Sequence, residues 1–86
     1  MTVKVRRVYN MKVNQVIVYL TDGTKVFNSY GTNIAEIDNK GNVTLDLYNW
    51  NYSVTTGKYR NEFLNESKPE TEKKIKSGEY VLADLN

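Results

Sequence analysis

The sequence predicts an α+β fold: a four- or five-stranded antiparallel meander with one helix packed on a face and a short second C-terminal helix. Three observations predict it. β-branched segments separated by glycine-bearing turns fill the first half of the chain. Tyr59, Phe63 and Leu64 fall at helical spacing after a Ser/Thr-rich start, and Ser67-Lys68-Pro69-Glu70 opens a second helical stretch. At 86 residues the chain reads as a single domain over residues 1–86, with a core too small to wall a deep pocket for a large cofactor.

The elements follow in order. Val3, Val5 and Val8 alternate with Lys4 and Arg6, the pattern of a half-buried strand with one wet face. Residues 14–20 are aliphatic on both faces around Val16, Ile17 and Val18, which places that strand centrally in a sheet. Asp22-Gly23 between two strand patterns predicts a type I′ hairpin turn, whose two central residues both need positive φ, and residues 25–30 form the return strand. Gly31 then interrupts a strand pattern and predicts a bulge or sharp bend before residues 32–37 resume. Residues 38–42 read as a type I turn closed by Gly41. Residues 43–48 alternate, with Val43, Leu45 and Leu47 inward and Thr44, Asp46 and Tyr48 outward.

The first helix starts near Ser53, capped by Ser53 or by Thr55; with Thr55 as the cap, Val54 is placed to staple against Tyr59. Gly57 costs its first turn about 1 kcal/mol of helix propensity, which predicts close packing against the backbone there. Ser67 to Glu70 forms a capping-box start for the second helix and Gly78 its stop. Glu70–Lys74 and Glu72–Lys76 are spaced as i,i+4 ion pairs, and Ile75 is the one strong apolar residue. Residues 79–85 add an edge strand or lie extended.

The available chemistry is narrow. Without cysteine or histidine the chain holds no disulfide, no thiolate or imidazole ligand and no Ser-His-Asp or Cys-His pair, so neither a metal nor a cofactor is expected. Glu36 and Asp38 share a strand face beside a turn, where solvated surface is the simpler reading than an acid–base pair. Residues 38–41 resemble the opening of a calcium loop, but the later ligands and the closing glutamate are missing. The glycines stand singly, without a phosphate-binding fingerprint. Asn42, Asn51 and Asn65 lie in N-x-Ser/Thr triplets that mean nothing without a secretion signal. Charges interrupt the N-terminal valines, so no signal-peptide core is present, and no apolar run is long enough to span a bilayer. The expectation is a cytoplasmic protein that is not an enzyme.

Two features point to binding. The net charge of +2 comes from the first thirty residues, where Lys4, Arg6, Arg7, Lys12 and Lys25 face Asp22 alone. Lys4, Arg6, Arg7, Tyr9 and Lys12 interleave cations with a ring, a composition suited to single-stranded DNA or RNA; the plainer reading is an edge strand guarded by charge. Tyr48, Trp50 and Tyr52 are spaced by two, so that in an extended chain all three rings point one way as a protein-binding patch. The plainer reading of Trp50 is that it closes the core between sheet and helix.

Tyr30-Gly31, Ile34-Ala35, the Asn39-Lys40-Gly41 turn, Trp50, Tyr52-Ser53, Thr55-Thr56, Tyr59 and Phe63-Leu64 form a spaced pattern. With the ending from Lys76-Ser77-Gly78-Glu79-Tyr80 through Asp84-Leu85-Asn86, it resembles small uncharacterised phage and prophage proteins of Gram-positive bacteria. The resemblance covers about two thirds of the chain and omits the basic N-terminal third. It implies a phage origin and action inside a bacterial host, and it transfers no catalytic or binding residue. The reading that follows is a non-enzymatic phage accessory protein in stoichiometric contact with a host or defence protein, inhibition of CRISPR–Cas being one instance. The alternative is a single-stranded nucleic-acid binder using the basic N-terminal strand.

Overall fold

Alternating β-branched segments and short turns build one sheet. The computed structural model describes residues 2–86. Strands β1 (Val5–Lys12), β2 (Gln15–Leu20), β3 (Lys25–Ser29), β4 (Thr32–Ile37) and β5 (Val43–Asp46) pair in sequence order as an antiparallel meander. The chain then crosses one face as α1 (Val54–Leu64) and α2 (Lys68–Ser77), and β6 (Val81–Ala83) adds to β5 in parallel. The sheet therefore has six strands rather than four or five. The C-terminal tail is the sixth, and its parallel direction follows from the helical crossover that precedes it.

The register sorts the side chains. Ile17, Phe27, Ala35, Leu45 and Leu82 lie opposite one another across β2 to β6 on the face that the helices cover. Phe27, Ile34, Ala35, Val43, Leu45 and Tyr80 form the buried core, with Trp50, Tyr59, Phe63, Leu64 and Ile75 packed against it. Phe63 of α1 stacks on Phe27 with ring centroids 5.8 Å apart. The next row, Val18, Val26, Glu36, Thr44 and Val81, faces away from the helices.

The N-terminal edge departs from expectation. Val3, Val5 and Val8 are all exposed, and β1 is wet on both faces. β2 is only half covered, and within β1 only Met11 packs against the core. An apolar alternation therefore reports strand geometry here without reporting burial.

Two turns exchange their predicted roles. Around Asp22-Gly23, the Gly23 N–H donates to the Leu20 carbonyl at 3.1 Å and the Leu20 N–H to the Thr24 carbonyl at 2.8 Å; only Gly23 has positive φ, at 93°. That is a three-residue loop with glycine in the left-handed position, not a type I′ turn, and Asp22 turns its carboxylate onto the Thr24 N–H at 2.9 Å. The type I′ pattern falls instead at Tyr30-Gly31, a two-residue connection between the paired Ser29 and Thr32, with φ of 53° and 82°. Gly31 is thus half of a hairpin turn, the sharp bend of the two expected alternatives and not the bulge. The irregularity in β3–β4 pairing lies between Phe27 and Asn28, opposite Ile34. Residues 38–42 turn as expected, closed by Gly41.

The helix ends follow sequence chemistry closely. Ser53 caps α1 by accepting the Thr56 N–H at 3.1 Å, and Val54 is fully exposed, so no staple forms. Ser67 and Glu70 close the capping box of α2, and Gly78 ends it. Because Glu70 is held by that box, Lys74 does not pair with it; Lys74 reaches Glu66 at 2.9 Å instead, and Glu72 and Lys76 form no ion pair among the described residues. Glu66 also accepts the Thr71 hydroxyl and the Tyr80 hydroxyl, each at 2.6 Å. Burial pushes the Glu66 carboxyl upward, but these three donors outweigh it and hold it below the usual carboxylate range. Burial and the same carboxylate push the Tyr80 phenol up to about 12. No helix is long and apolar enough to cross a membrane among the described residues.

Tyr30 is a bulky residue held at positive φ on the surface, where asparagine is favoured. Tyr30→Asn is expected to raise stability by about 1 kcal/mol in chemical denaturation, since left-handed strain costs roughly that much. A lower midpoint would mean that the ring makes a stabilising contact larger than the strain.

Candidate functional site

The stretch from Asp46 to Ser53 carries the three candidate rings, and its geometry begins at a buried carboxylate. β5 ends at Asp46, which the alternation pattern placed outward; it is wholly buried, while Leu47 is exposed. The inversion has a direct cause in hydrogen bonding. Asp46 Oδ2 accepts the Tyr48 N–H at 3.2 Å and the Asn49 amide at 2.7 Å, and Oδ1 accepts the Leu85 N–H at 2.8 Å and the Asn86 amide at 3.2 Å. Its main-chain carbonyl takes the N–H groups of Asn49 and Trp50. Burial pushes this carboxyl up, but the bonds from Leu85, Asn49 and Tyr48 prevail and leave it below its ordinary value.

The consequence is a turn where an extended segment was expected, so the three rings do not share a direction. Tyr48 and Tyr52 are 74% and 68% exposed, whereas Trp50 turns in and packs on the core. Trp50 is thus the core-closing residue of the plainer reading. Its carbonyl accepts from Arg60 Nη1 at 2.7 Å, and the Arg60 guanidinium lies 5.3 Å from its ring centroid. The exposed tyrosines are therefore displayed by a loop held at one end by Asp46 and at the other by Arg60. Tyr52 and Tyr30 flank a recess of about 130 Å³ together with Ser29, Thr32, Ile34 and Asn49. Tyr30 thereby joins the aromatic surface, with Leu47 exposed on the same loop as Tyr48.

The basic candidates lie at the opposite edge of the sheet. Lys4 precedes β1 and donates its N–H to the Thr21 hydroxyl. Arg6 sits in the β1 irregularity between Val5 and Arg7. Arg7 lies over the Tyr19 ring at 4.1 Å, and Tyr9 and Lys12 are exposed further along the strand. By register, Arg7 and Tyr9 face the helix side of the sheet, beyond the helices themselves. The two candidate surfaces are not brought together.

Beneath α1 runs a polar seam that periodicity does not reveal. Thr56 and Arg60, one turn apart on the buried side of the helix, are both fully covered. Thr56 shares a 2.9 Å hydrogen bond with Ser29 of β3, and Gln15, paired opposite Ser29, is buried with neither amide atom hydrogen-bonded. Among the described residues no group of three or more carboxylates gathers as a metal site.

A family described as one of unknown function, DUF8033, matches residues 3–79. The chain belongs to that family. The match takes in the aromatic loop, both helices and the basic strand, including the N-terminal segment that the phage-protein pattern left out. No curated protein and no solved structure matches the chain.

Three residues of this region escaped sequence reading: Asp46, Arg60 and Tyr30. The signal for Tyr30 was present, since Tyr-Gly between two strand patterns has the length of a two-residue hairpin. Arg60 falls four after Thr56 and three before Phe63, on the buried stripe of α1, but its charge disguised it.

Asp46→Asn is expected to destabilise the protein by roughly 2–3 kcal/mol, because an amide cannot accept all four donors. The folded carboxyl lies below its unfolded value of 3.8, so its contribution is complete above that pH and fades as pH falls through the folded value. Denaturation series across pH 2 to 7 should show the parent losing stability below about pH 4. In the variant that part of the loss should be missing.

Proposed function

We propose that the protein is a non-enzymatic accessory protein that acts by stoichiometric contact with another protein through the surface around Tyr48 and Tyr52. One observation carries this reading: two largely exposed tyrosines stand on a loop immobilised at both ends by buried polar anchors. Rings displayed by a rigid loop lose little conformational entropy on binding, which is why such residues dominate the energetics of protein interfaces. Tyr30, kept on the same side in a strained turn, supports the reading, because exposed strain of this kind is retained where it serves contact. Trp50 serves as the internal support of that surface. The resemblance to phage and prophage proteins supports a host or defence protein in the bacterial cytoplasm as the partner, with inhibition of CRISPR–Cas one form of the contact. The near-neutral charge favours shape and aromatic contact over imitation of DNA.

The test is capture from bacterial lysate with and without nuclease, comparing the parent with a Tyr48→Ala/Tyr52→Ala variant. Loss of a nuclease-resistant protein partner is expected, with affinity reduced by at least about 2 kcal/mol. Folding stability should stay within about 0.5 kcal/mol, since both rings are exposed. Undiminished capture by the variant rules the surface out.

The Arg7–Tyr19 stack supports a second reading. On the uncovered edge of the sheet it joins a cation to a ring beside exposed Tyr9 and Lys12, as single-stranded nucleic acid requires. Binding of an oligonucleotide should then weaken steeply with salt and fall further in an Arg7→Ala/Tyr9→Ala variant. Salt-independent binding, or an unaffected variant, eliminates this edge as the contact.

A further inference from the structure

Arg60 is a buried charge without a counter-charge. It is 1% exposed, yet no carboxylate comes within 4.0 Å of it among the described residues. Glu66 and Glu72 act on it only from farther off. Two of its donors are engaged, Nη1 by the Trp50 carbonyl and Nη2 by the Asn61 side chain at 3.0 Å, while the Nε–H is buried with no acceptor. An arginine withdrawn from water is costly unless an anion balances it.

The guanidinium lies against Gly57. A Cβ built at Gly57 would stand 3.6 Å from both Nη1 and Nη2, so the missing side chain leaves this helix face open above the charge. The close packing that Gly57 led us to expect is made by a cation rather than by backbone. Gly57 and Arg60 border an open cleft of about 550 Å³, together with Lys58, Lys68, Asn51 and Ser53. Three cations line it and no carboxylate does. Apart from buried Arg60, the cleft is built from helix and loop groups at the surface, so it takes no residue from the apolar core. It opens beside the N-terminal turn of α1, whose first turn holds no acidic residue to neutralise the positive end of the helix.

We propose that this cleft binds a phosphate group, carried by inorganic phosphate or by a small phosphate monoester. Lys58 and Lys68 neutralise the dianion from the two sides, and the Asn51 amide donates to it. The Ser53 hydroxyl, already accepting from Thr56, keeps its own proton to donate. Arg60 supplies the buried positive charge beneath, and glycine at position 57 lets the anion approach it. Asn51 and Ser53 share the loop that carries the rings and Arg60 anchors it, but neither Tyr48 nor Tyr52 lines the cleft, so the site does not depend on their contact role.

The experiment is a heteronuclear NMR titration with inorganic phosphate and, separately, adenosine 5′-monophosphate, against sodium chloride at matched ionic strength. Saturable shifts are expected at the amides of residues 53–58 and at the Arg60 Nε–H, with the Lys73, Lys74 and Lys76 face unaffected. The midpoint should rise at least about tenfold in a Lys58→Ala/Lys68→Ala variant, in line with the loss of charge-assisted bonds. Gly57→Ala should fold with equal or greater stability, as alanine is the better helix former, and should lose the shift at Arg60. Saturation by phosphate alone identifies free phosphate as the ligand, and tighter saturation by the nucleotide identifies a monoester. Shifts reproduced by chloride, or binding unchanged in both variants, overturn the proposal.

Discussion

The buried carboxylate of Asp46 ties together the end of β5, the loop after it and the C-terminal tail. It ends β5, folds the following residues into a turn, and fastens the C-terminal tail after β6. A carboxylate inside a protein is unfavourable unless its lone pairs are filled, and here four N–H donors from two distant segments fill them. The same contacts that stabilise the charge therefore determine where Tyr48 points and hold the tail that follows the last strand. In most small meanders the final hairpin is local. In this one the closure is made between residues about forty positions apart, by β5–β6 pairing reinforced by the Asp46 carboxylate.

A second polar anchor works from the helix side. α1 presents Thr56 and Arg60 inward where a helix on a sheet ordinarily presents aliphatic side chains, and its apolar contact is concentrated in Tyr59, Phe63 and Leu64. The helix is thus located by specific bonds to Ser29 and to the Trp50 carbonyl as much as by hydrophobic area. Buried polar contacts of this kind are demanding in geometry, and they fix one arrangement of helix, loop and sheet. Together with the Glu66 hub, which joins α1, α2 and Tyr80, they let a small core support two helices and six strands. Arg60 both bonds the Trp50 carbonyl of the aromatic loop and lines the cationic cleft, so the two proposed surfaces meet at the α1–loop junction.

The α+β class, the antiparallel meander, the capping box of α2, the glycine stop at Gly78 and the Ser53 start of α1 were all legible in the sequence. Each depends on interactions between residues a few positions apart: alternation, turn chemistry, or a side chain closing on its own backbone. The aromatic triplet was legible as a cluster, but not as a division into two exposed tyrosines and one inward tryptophan. That division depends on the turn that Asp46 makes by accepting from Tyr48, Asn49 and Trp50, which the strand alternation of residues 43–48 masked.

Local chemistry was enough for the first five strands, the two helices and the helix ends, because those are decided by short-range geometry and by the few residue types that tolerate it. The pairing of the tail as a sixth strand was not among them. The tertiary structure decided where burial lies. Val5 and Val8 look like a core face and are wet because register sets them beside Leu20 and Val18, on the face the helices do not cover. Asp46 and Arg60 look like surface and are buried among hydrogen-bond partners that include the distant Leu85 N–H and Trp50 carbonyl. It also decided which hairpin took the type I′ turn, moving it from Asp22-Gly23 to Tyr30-Gly31. A two-residue loop is set by the register of the paired strands, and register is a property of the assembled sheet rather than of the turn residues alone.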